Sequence, residues 1–443
     1  MSSLWISGGR VVDPASGVDE VADLLVSSGK IASLHRHSAG ASSPADLPAG
    51  TQVIDATGLI VSPGLIDLHV SLREPGFEED EVTATGTAAA LAGGFCTIAA
   101  QSDTNPVVDN RSAAEFIRLQ ADRAANCRVL PLGAVTRQHA GTELAEIGQL
   151  VDGGAVAFSD AKTPISNSEV MRRALEYTRM FNRPIFHFSM VPELMEGGVM
   201  HEGFEATRLG LRGIPAAAQD IMTGRDIALA ELTEGRIHLM CVTTRDSVSQ
   251  IRNARARGIR VTADVTPHHL LLTDSVMSTF DTLCKTNPPF RTRDHIEALI
   301  EGLKDGTISA ISTDHQPHSF EKKQVELDVA PFGICSLETT LSVCIRALIE
   351  PGHLTWTQLL AALTSGPAAI LGIAAGTLRP ESPADITLID PNLEWTVDAT
   401  QFASRSRNTP FHNQVFRGRA VVTIVDGQVR WSLNPLPRAV GTH

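Results

Sequence analysis

Basic residues are in deficit: 37 Lys and Arg stand against 50 Asp and Glu in 443 residues, a formal net charge of −13. That balance disfavours nucleic acid and anionic membrane surfaces as general partners, while leaving a specific anionic substrate open. Cysteine is sparse and unpatterned. Cys96, Cys127, Cys241, Cys284, Cys335 and Cys344 are scattered along the chain, which argues against a disulfide framework and for a reducing, cytoplasmic compartment. The first ten residues have no basic stretch leading into an apolar run, so no secretory leader is expected. No apolar run is long enough to span a bilayer. The most apolar window, Leu359 to Gly376, is broken by Thr364, Ser365 and Pro367 and reads as a buried helix and a turn. These absences leave a soluble globular protein, long enough for a barrel plus an accessory module.

What is present changes texture twice. Residues 1–62 carry short strand-like runs (Leu4–Ile6, Val11–Val12, Asp23–Val26, Lys30–Leu34) between Gly-, Pro- and Ser-rich turns, with a loop-like stretch from His37 to Gly50. From Pro63, apolar strands alternate with longer helical patterns. Eight strands are predicted: Leu65–Ser71, Phe95–Gln101, Arg128–Val135, Ala155–Ser159, Pro184–Ser189, His238–Thr243, Arg260–Val265 and Ile308–Thr313. Segments such as Ser112–Asn126, Ser168–Asn182, Asp220–Thr233 and Asp246–Arg257 place apolar residues at three- and four-residue spacing, the mark of amphipathic helices. Eight strand–helix units point to an α/β fold of the (β/α)8 TIM-barrel type over residues 63–374. The tail, residues 375–443, returns to β texture with a hairpin around Asp426-Gly427. Neither end alone has enough strands to bury a core, so one β-sandwich built from both termini is expected.

Polar residues gather at the predicted C-terminal strand ends, where such barrels keep their chemistry: His69, Arg73, Asn105, Asp160, Cys241, His268, His269, Asn287, Asp314, His315 and His318. In the stretch Pro63 to Gly76, His69, Ser71 and Arg73 alternate and so would share one face of a strand. Asp314, in Thr-Asp-His-Gln-Pro-His, offers a carboxylate at the mouth of the last strand, able to bind a metal or accept a proton from water.

The runs HVSLREPG, Thr104–Asn110, Val265–Leu270, Lys285–Arg291 and TDHQPH together resemble dihydroorotase of the amidohydrolase superfamily, in its longer barrel-plus-sandwich form. The resemblance covers nearly the whole chain. It implies a zinc centre held by four histidines and an aspartate, with a carboxylated pyrimidine or carbamoyl aspartate as ligand. Carried onto this sequence, it implies His69 as a first-strand ligand, Arg73, Asn105, Asn287 and His318 as substrate-binding residues, and Asp314 as catalytic aspartate and ligand. Asp160 falls on the fourth-strand acid, with Ala161 where the family has a second acid.

The departures fall on the metal ligands. Ser71, Phe188 and Cys241 stand where three of the four histidines are expected. Serine is a poor zinc ligand and phenylalanine is none. His187 lies one residue out of register with Phe188, and a shift of one turns a side chain to the opposite face. Two readings follow. One is a pseudoenzyme without its zinc: in its lost ligands the chain resembles non-catalytic dihydroorotase homologues, a resemblance that implies a structural partner of an aspartate carbamoyltransferase catalytic chain, in a homo- or hetero-oligomer. The other is a working zinc-dependent hydrolase with a mononuclear site remodelled from His69, Asp160, Cys241 and Asp314. A hydrolase for another ring, such as a hydantoin, fits less well, because Arg73, Asn105 and His318 suit a carboxylated pyrimidine.

Overall fold

The computed structural model of the chain describes residues 3–36, 47 and 50–435, so most of the loop-like stretch from His37 to Gly50 and the last eight residues lie outside the described residues. The apolar runs between Leu65 and Ile311 form eight parallel strands: β1 (Leu65–Val70), β2 (Phe95–Ala100), β3 (Arg128–Gly133), β4 (Ala157–Phe158), β5 (Ile185–His187), β6 (Ile237–Leu239), β7 (Val261–Val265) and β8 (Ala310–Ile311). They pair in sequence order from β1 to β8. The circle is completed just past the ends of β8 and β1, where His315 bridges Val70 in parallel and Ser71 N donates to His315 O at 3.0 Å. Every residue of β1 and β2 is buried, as expected of strands covered on both faces.

Helices wrap the barrel through the apolar faces read from the sequence. The helix Arg111–Ala124 buries Ala114, Ile117 and Ala121, and Arg245–Ala256 buries Val248, Ile251 and Ala254. Their starts, and that of the helix Ser168–Arg179, are set by side-chain caps: Asn110 accepts from Ala113 N, Asn167 from Glu169 N and Val170 N, and Thr244 from Ser247 N. Each cap satisfies amides that have no partner within the helix. The apolar window from Leu359 is two helices, Trp356–Leu363 and Ser365–Leu371, broken at Thr364.

Both chain ends join in one eight-stranded sheet. Ile60–Pro63 runs antiparallel to Ile386–Thr396, which pairs in turn with Val415–Val425, and the hairpin predicted at Asp426-Gly427 closes onto Gln428–Ser432. The sheet wraps a core of its own, drawn from both termini and including Ile6, Leu24, Val61, Ile386 and Ile424. This is the expected sandwich. The barrel is anchored to it: Thr387 Oγ1 donates to Gly94 O at 2.7 Å, and Arg128 reaches Asp385 at 2.6 Å and Asp426 at 2.7 Å.

The joint is tight at Gly64, between the sheet strand Ile60–Pro63 and β1. A Cβ there would lie 2.3 Å from Cys96 Sγ and 3.1 Å from Asp385 Cβ. Because β1 carries His69, sheet and barrel are registered through this residue. Gly64→Ala is expected to cost about 1–3 kcal/mol through overpacking, read as a lower urea midpoint with unchanged slope; an unchanged midpoint would show that the joint can relax.

Candidate active site

Two carboxylates organise the mouth of the barrel. Asp264, in β7, is fully buried; its Oδ2 accepts from His69 Nε2 at 2.9 Å and from His238 Nε2 at 2.7 Å, and its Oδ1 accepts from Cys241 N at 2.9 Å. Burial works against the charge of Asp264, but the two imidazoles outweigh it and hold the carboxyl far below its usual range. His69 responds in the opposite sense. Burial opposes its protonation, yet Asp264, with Asp314 on the other side, raises its pKa well above the ordinary histidine value. His238 stays neutral, lowered chiefly by burial, with Thr262 Oγ1 on its other nitrogen at 2.9 Å.

Asp314 is the second carboxylate. Lys162 Nζ lies 2.9 Å from its Oδ2, His69 Nδ1 lies 3.4 Å from its Oδ1, and Gln316 Nε2 donates to Oδ1 at 3.1 Å. Despite burial, Lys162 and His69 push its pKa well below the carboxylate range. So depressed a carboxylate is a weak proton acceptor at neutral pH. Lys162 also donates to Cys241 Sγ and to Asn287 O, each at 3.2 Å, and stands 4.7 Å over the Phe188 ring. Burial and the nearby Asp314 keep the Cys241 thiol protonated. Cys241 and Asp314 both sit at positive φ, 52° and 51°, as does Arg73 at 63°. Such conformations cost on the order of 1–3 kcal/mol each and gather at functional sites.

The remaining candidates separate from this cluster. Ser71 Oγ donates to Asp103 Oδ2 at 2.7 Å, and Arg73 reaches the same oxygen at 3.0 Å. Asp103, rather than the exposed Asn105, is thus the loop residue beside Arg73. Asp160 faces away from His69 and Cys241: its carboxylate accepts from Val135 N at 2.8 Å, Thr136 N at 3.0 Å and the Thr136 hydroxyl. His318 Nε2 donates to Phe332 O at 2.8 Å and borders a cavity of about 420 Å³ that Lys323, Arg407 and His412 also line. His187 turns outward to Asp226 at 2.6 Å, on the helix Ala217–Thr233. Buried Gln101 Oε1, Asp103 Oδ1, Asn287 Oδ1 and both His268 nitrogens have no hydrogen-bond partner among the described residues.

Sequence reasoning missed Lys162, Asp264, His238 and Asp103. Lys162 carried a signal, a basic residue two positions past a fourth-strand acid, but the positions that surround it are far apart in the chain.

A family model described as Dihydro-orotase-like matches residues 58–247. Dihydroorotase of Pelotomaculum thermopropionicum is 48% identical over 426 residues, covering 96% of this chain and 98% of that protein. The chain belongs to the dihydroorotase family. Dihydroorotase of Solibacter usitatus is 45% identical over 427 residues, covering 96% of this chain and 97% of that protein. L-hydantoinase (dihydropyrimidinase) from Arthrobacter aurescens shares the fold, with a TM-score of 0.87 at 24% identity and coverage of 99% and 98% of the two chains.

The metal expected of a dihydroorotase-family barrel can be tested against these donors. The ligand atoms of His69, Cys241 and Asp264 lie within 4.8 Å of one another, the one such buried group among the described residues. Each is already engaged: His69 Nε2 is spent on Asp264, the Asp264 Oδ2 accepts from both His69 and His238, and the thiol is protonated and accepts from Lys162; Ser71, outside the group, is held by Asp103. The residues present do not fit a binuclear centre.

The buried imidazoles also set a pH dependence. Burial lowers His201 and His268 to about 4 and His318 to about 3, against about 6.5 in an unfolded chain. The unfolded state therefore binds more protons below pH 6.5, and stability present above that value is lost as pH falls toward 4. His69, raised, acts in the opposite sense and erodes stability on the alkaline side. Thermal midpoints should peak near neutrality and fall steadily between pH 6.5 and 4.5, with a shallower fall in His268→Gln; a flat profile over that range would contradict the assignment.

Proposed function

We propose that this dihydroorotase-family chain has no working hydrolytic centre and serves in assembly with an aspartate carbamoyltransferase catalytic chain. The carrying observation is the donor set: where four ligand histidines are expected, the chain presents His69, Ser71, Phe188 and Cys241. Without a bound metal, water keeps a pKa of about 15.7 instead of about 7, and Asp314 is too acidic to compensate. The barrel and both halves of the terminal sheet are nevertheless fully formed. A partner surface accounts for that, because it needs the exterior and tolerates an impaired interior. The unpaired polar atoms around the mouth support a polar guest, a carboxylated pyrimidine or carbamoyl aspartate, bound without turnover. Arg73, Asn105, Asn287 and His318 are the proposed contacts, and a ligand carboxylate would have to compete with Asp103 for Arg73. Six free, buried cysteines support a cytoplasmic setting.

One observation favours a second reading, a mononuclear zinc hydrolase: the close approach of His69, Cys241 and Asp264. Steady-state assays with dihydroorotate and carbamoyl aspartate separate the two. The expected result is turnover indistinguishable from buffer. Activity that tracks one zinc per chain and disappears in Cys241→Ser would establish the hydrolase.

Assembly has its own test. Co-expressed with the aspartate carbamoyltransferase catalytic chain of the same organism, this chain should co-elute in size exclusion and survive dilution, as an interface burying at least ~1,000 Å² does. Separate elution, with the transferase fully active and correctly assembled alone, would remove the scaffold role.

A further inference from the structure

We propose that the Lys162 ammonium is the resident cation of this barrel, and that it, more than the missing histidines, is what bars a divalent ion from the His69–Cys241–Asp314 nest. The inference rests on the non-hydrolytic reading of the site. An ammonium carries three N–H donors and no acceptor. Lys162 Nζ has three acceptors around it: Asp314 Oδ2 at 2.9 Å, Cys241 Sγ at 3.2 Å and Asn287 O at 3.2 Å. No proton is left over for a guest. On the remaining side the Phe188 ring presents its face at 4.7 Å, an arrangement that attracts a cation without any lone pair.

These neighbours are the side chains that would otherwise face a metal. Cys241 and Phe188 stand at two expected ligand positions, and Asp314 at a third. The charges also close. Lys162 balances Asp314 and His69 balances Asp264, so the buried cluster is complete without a divalent ion. Entry of a metal would place two more positive charges beside a fixed one and require Cys241 to lose its proton. Removing the lysine reverses each of these conditions. It frees Asp314 Oδ2 and Cys241 Sγ, leaves a negative charge uncompensated, and opens the volume the side chain filled. His69 Nδ1, buried and without a well-formed hydrogen bond, already points toward Asp314. The nest so exposed offers nitrogen, sulfur and oxygen donors suited to one zinc-like ion.

Cobalt(II) is the probe, because thiolate ligation gives it a charge-transfer absorption. Wild type, titrated with cobalt, should show no thiolate band and no change in thermal midpoint. Lys162→Ala should have a lower midpoint without metal, take up about one cobalt per chain with a thiolate band, as a site with one Cys and one His permits, and recover stability on doing so. Lys162→Ala combined with Cys241→Ser should lose the band. If wild type binds cobalt through its thiol with Lys162 intact, this inference and the metal-free reading fall together. If Lys162→Ala is folded and binds none, only this inference falls. Should Lys162→Ala not fold, Lys162→Met with Asp314→Asn decides: removing both charges should give a midpoint above that of either single variant, and a midpoint at or below both would overturn the pairing.

Discussion

The pairing of buried charge inside the barrel is the constraint on which the rest depends. Asp264 takes hydrogen bonds from His69 in β1 and His238 in β6 and from the backbone of Cys241, so one carboxylate ties three strands at their C-terminal ends. A carboxylate held at zero exposure is tolerable only if it is charge-compensated and fully hydrogen-bonded. His69 therefore keeps its proton, and a protonated His69 in turn favours an ionised Asp314, which needs Lys162. Each charge in the series exists because of the one before it. Substitution of any single member would leave its partner buried and uncompensated, so non-additive effects are expected among them.

This charge network explains how a hydrolase-like layout and an unsuitable donor set coexist. In a zinc site the same side chains would hand their lone pairs to one ion. Here they are hydrogen-bonded to one another, with Ser71 and Arg73 drawn off to Asp103 on the neighbouring loop. The side chains at the mouth are satisfied by one another, and the backbone that presents them takes positive φ at Arg73, Cys241 and Asp314.

The parts of this picture legible in the sequence are those set by local periodicity. The buried strands β1 and β2, the helices around Ile117 and Ile251, and the hairpin at Asp426-Gly427 follow from apolar spacing and turn residues. Strand ends were read too long, because β4 and β8 keep only two ladder residues and the chain beyond them turns inward to deliver side chains. The site was harder. His69 and Asp314 stand out by motif, but Asp264 sits within an apolar strand, and nothing local says that its carboxylate meets residues 195 positions away. Asp103 and Asn105 are two apart, so pattern alone does not say which meets Arg73. Asp160 looked like a ligand because its position is right, yet the amides of Val135 and Thr136 claim its oxygens.

The barrel closes with little backbone ladder: the seam between the first and last strands has the bridge from Val70 to His315, the hydrogen bond from Ser71 to His315, and the side-chain hydrogen bonds from Thr313 to Asp67. His69 stands on one lip of that seam and Asp314 on the other. Their attraction acts as a clasp across that seam, beside the Thr313–Asp67 hydrogen bonds, so side chains placed for chemistry also help to hold the two ends of the circle together.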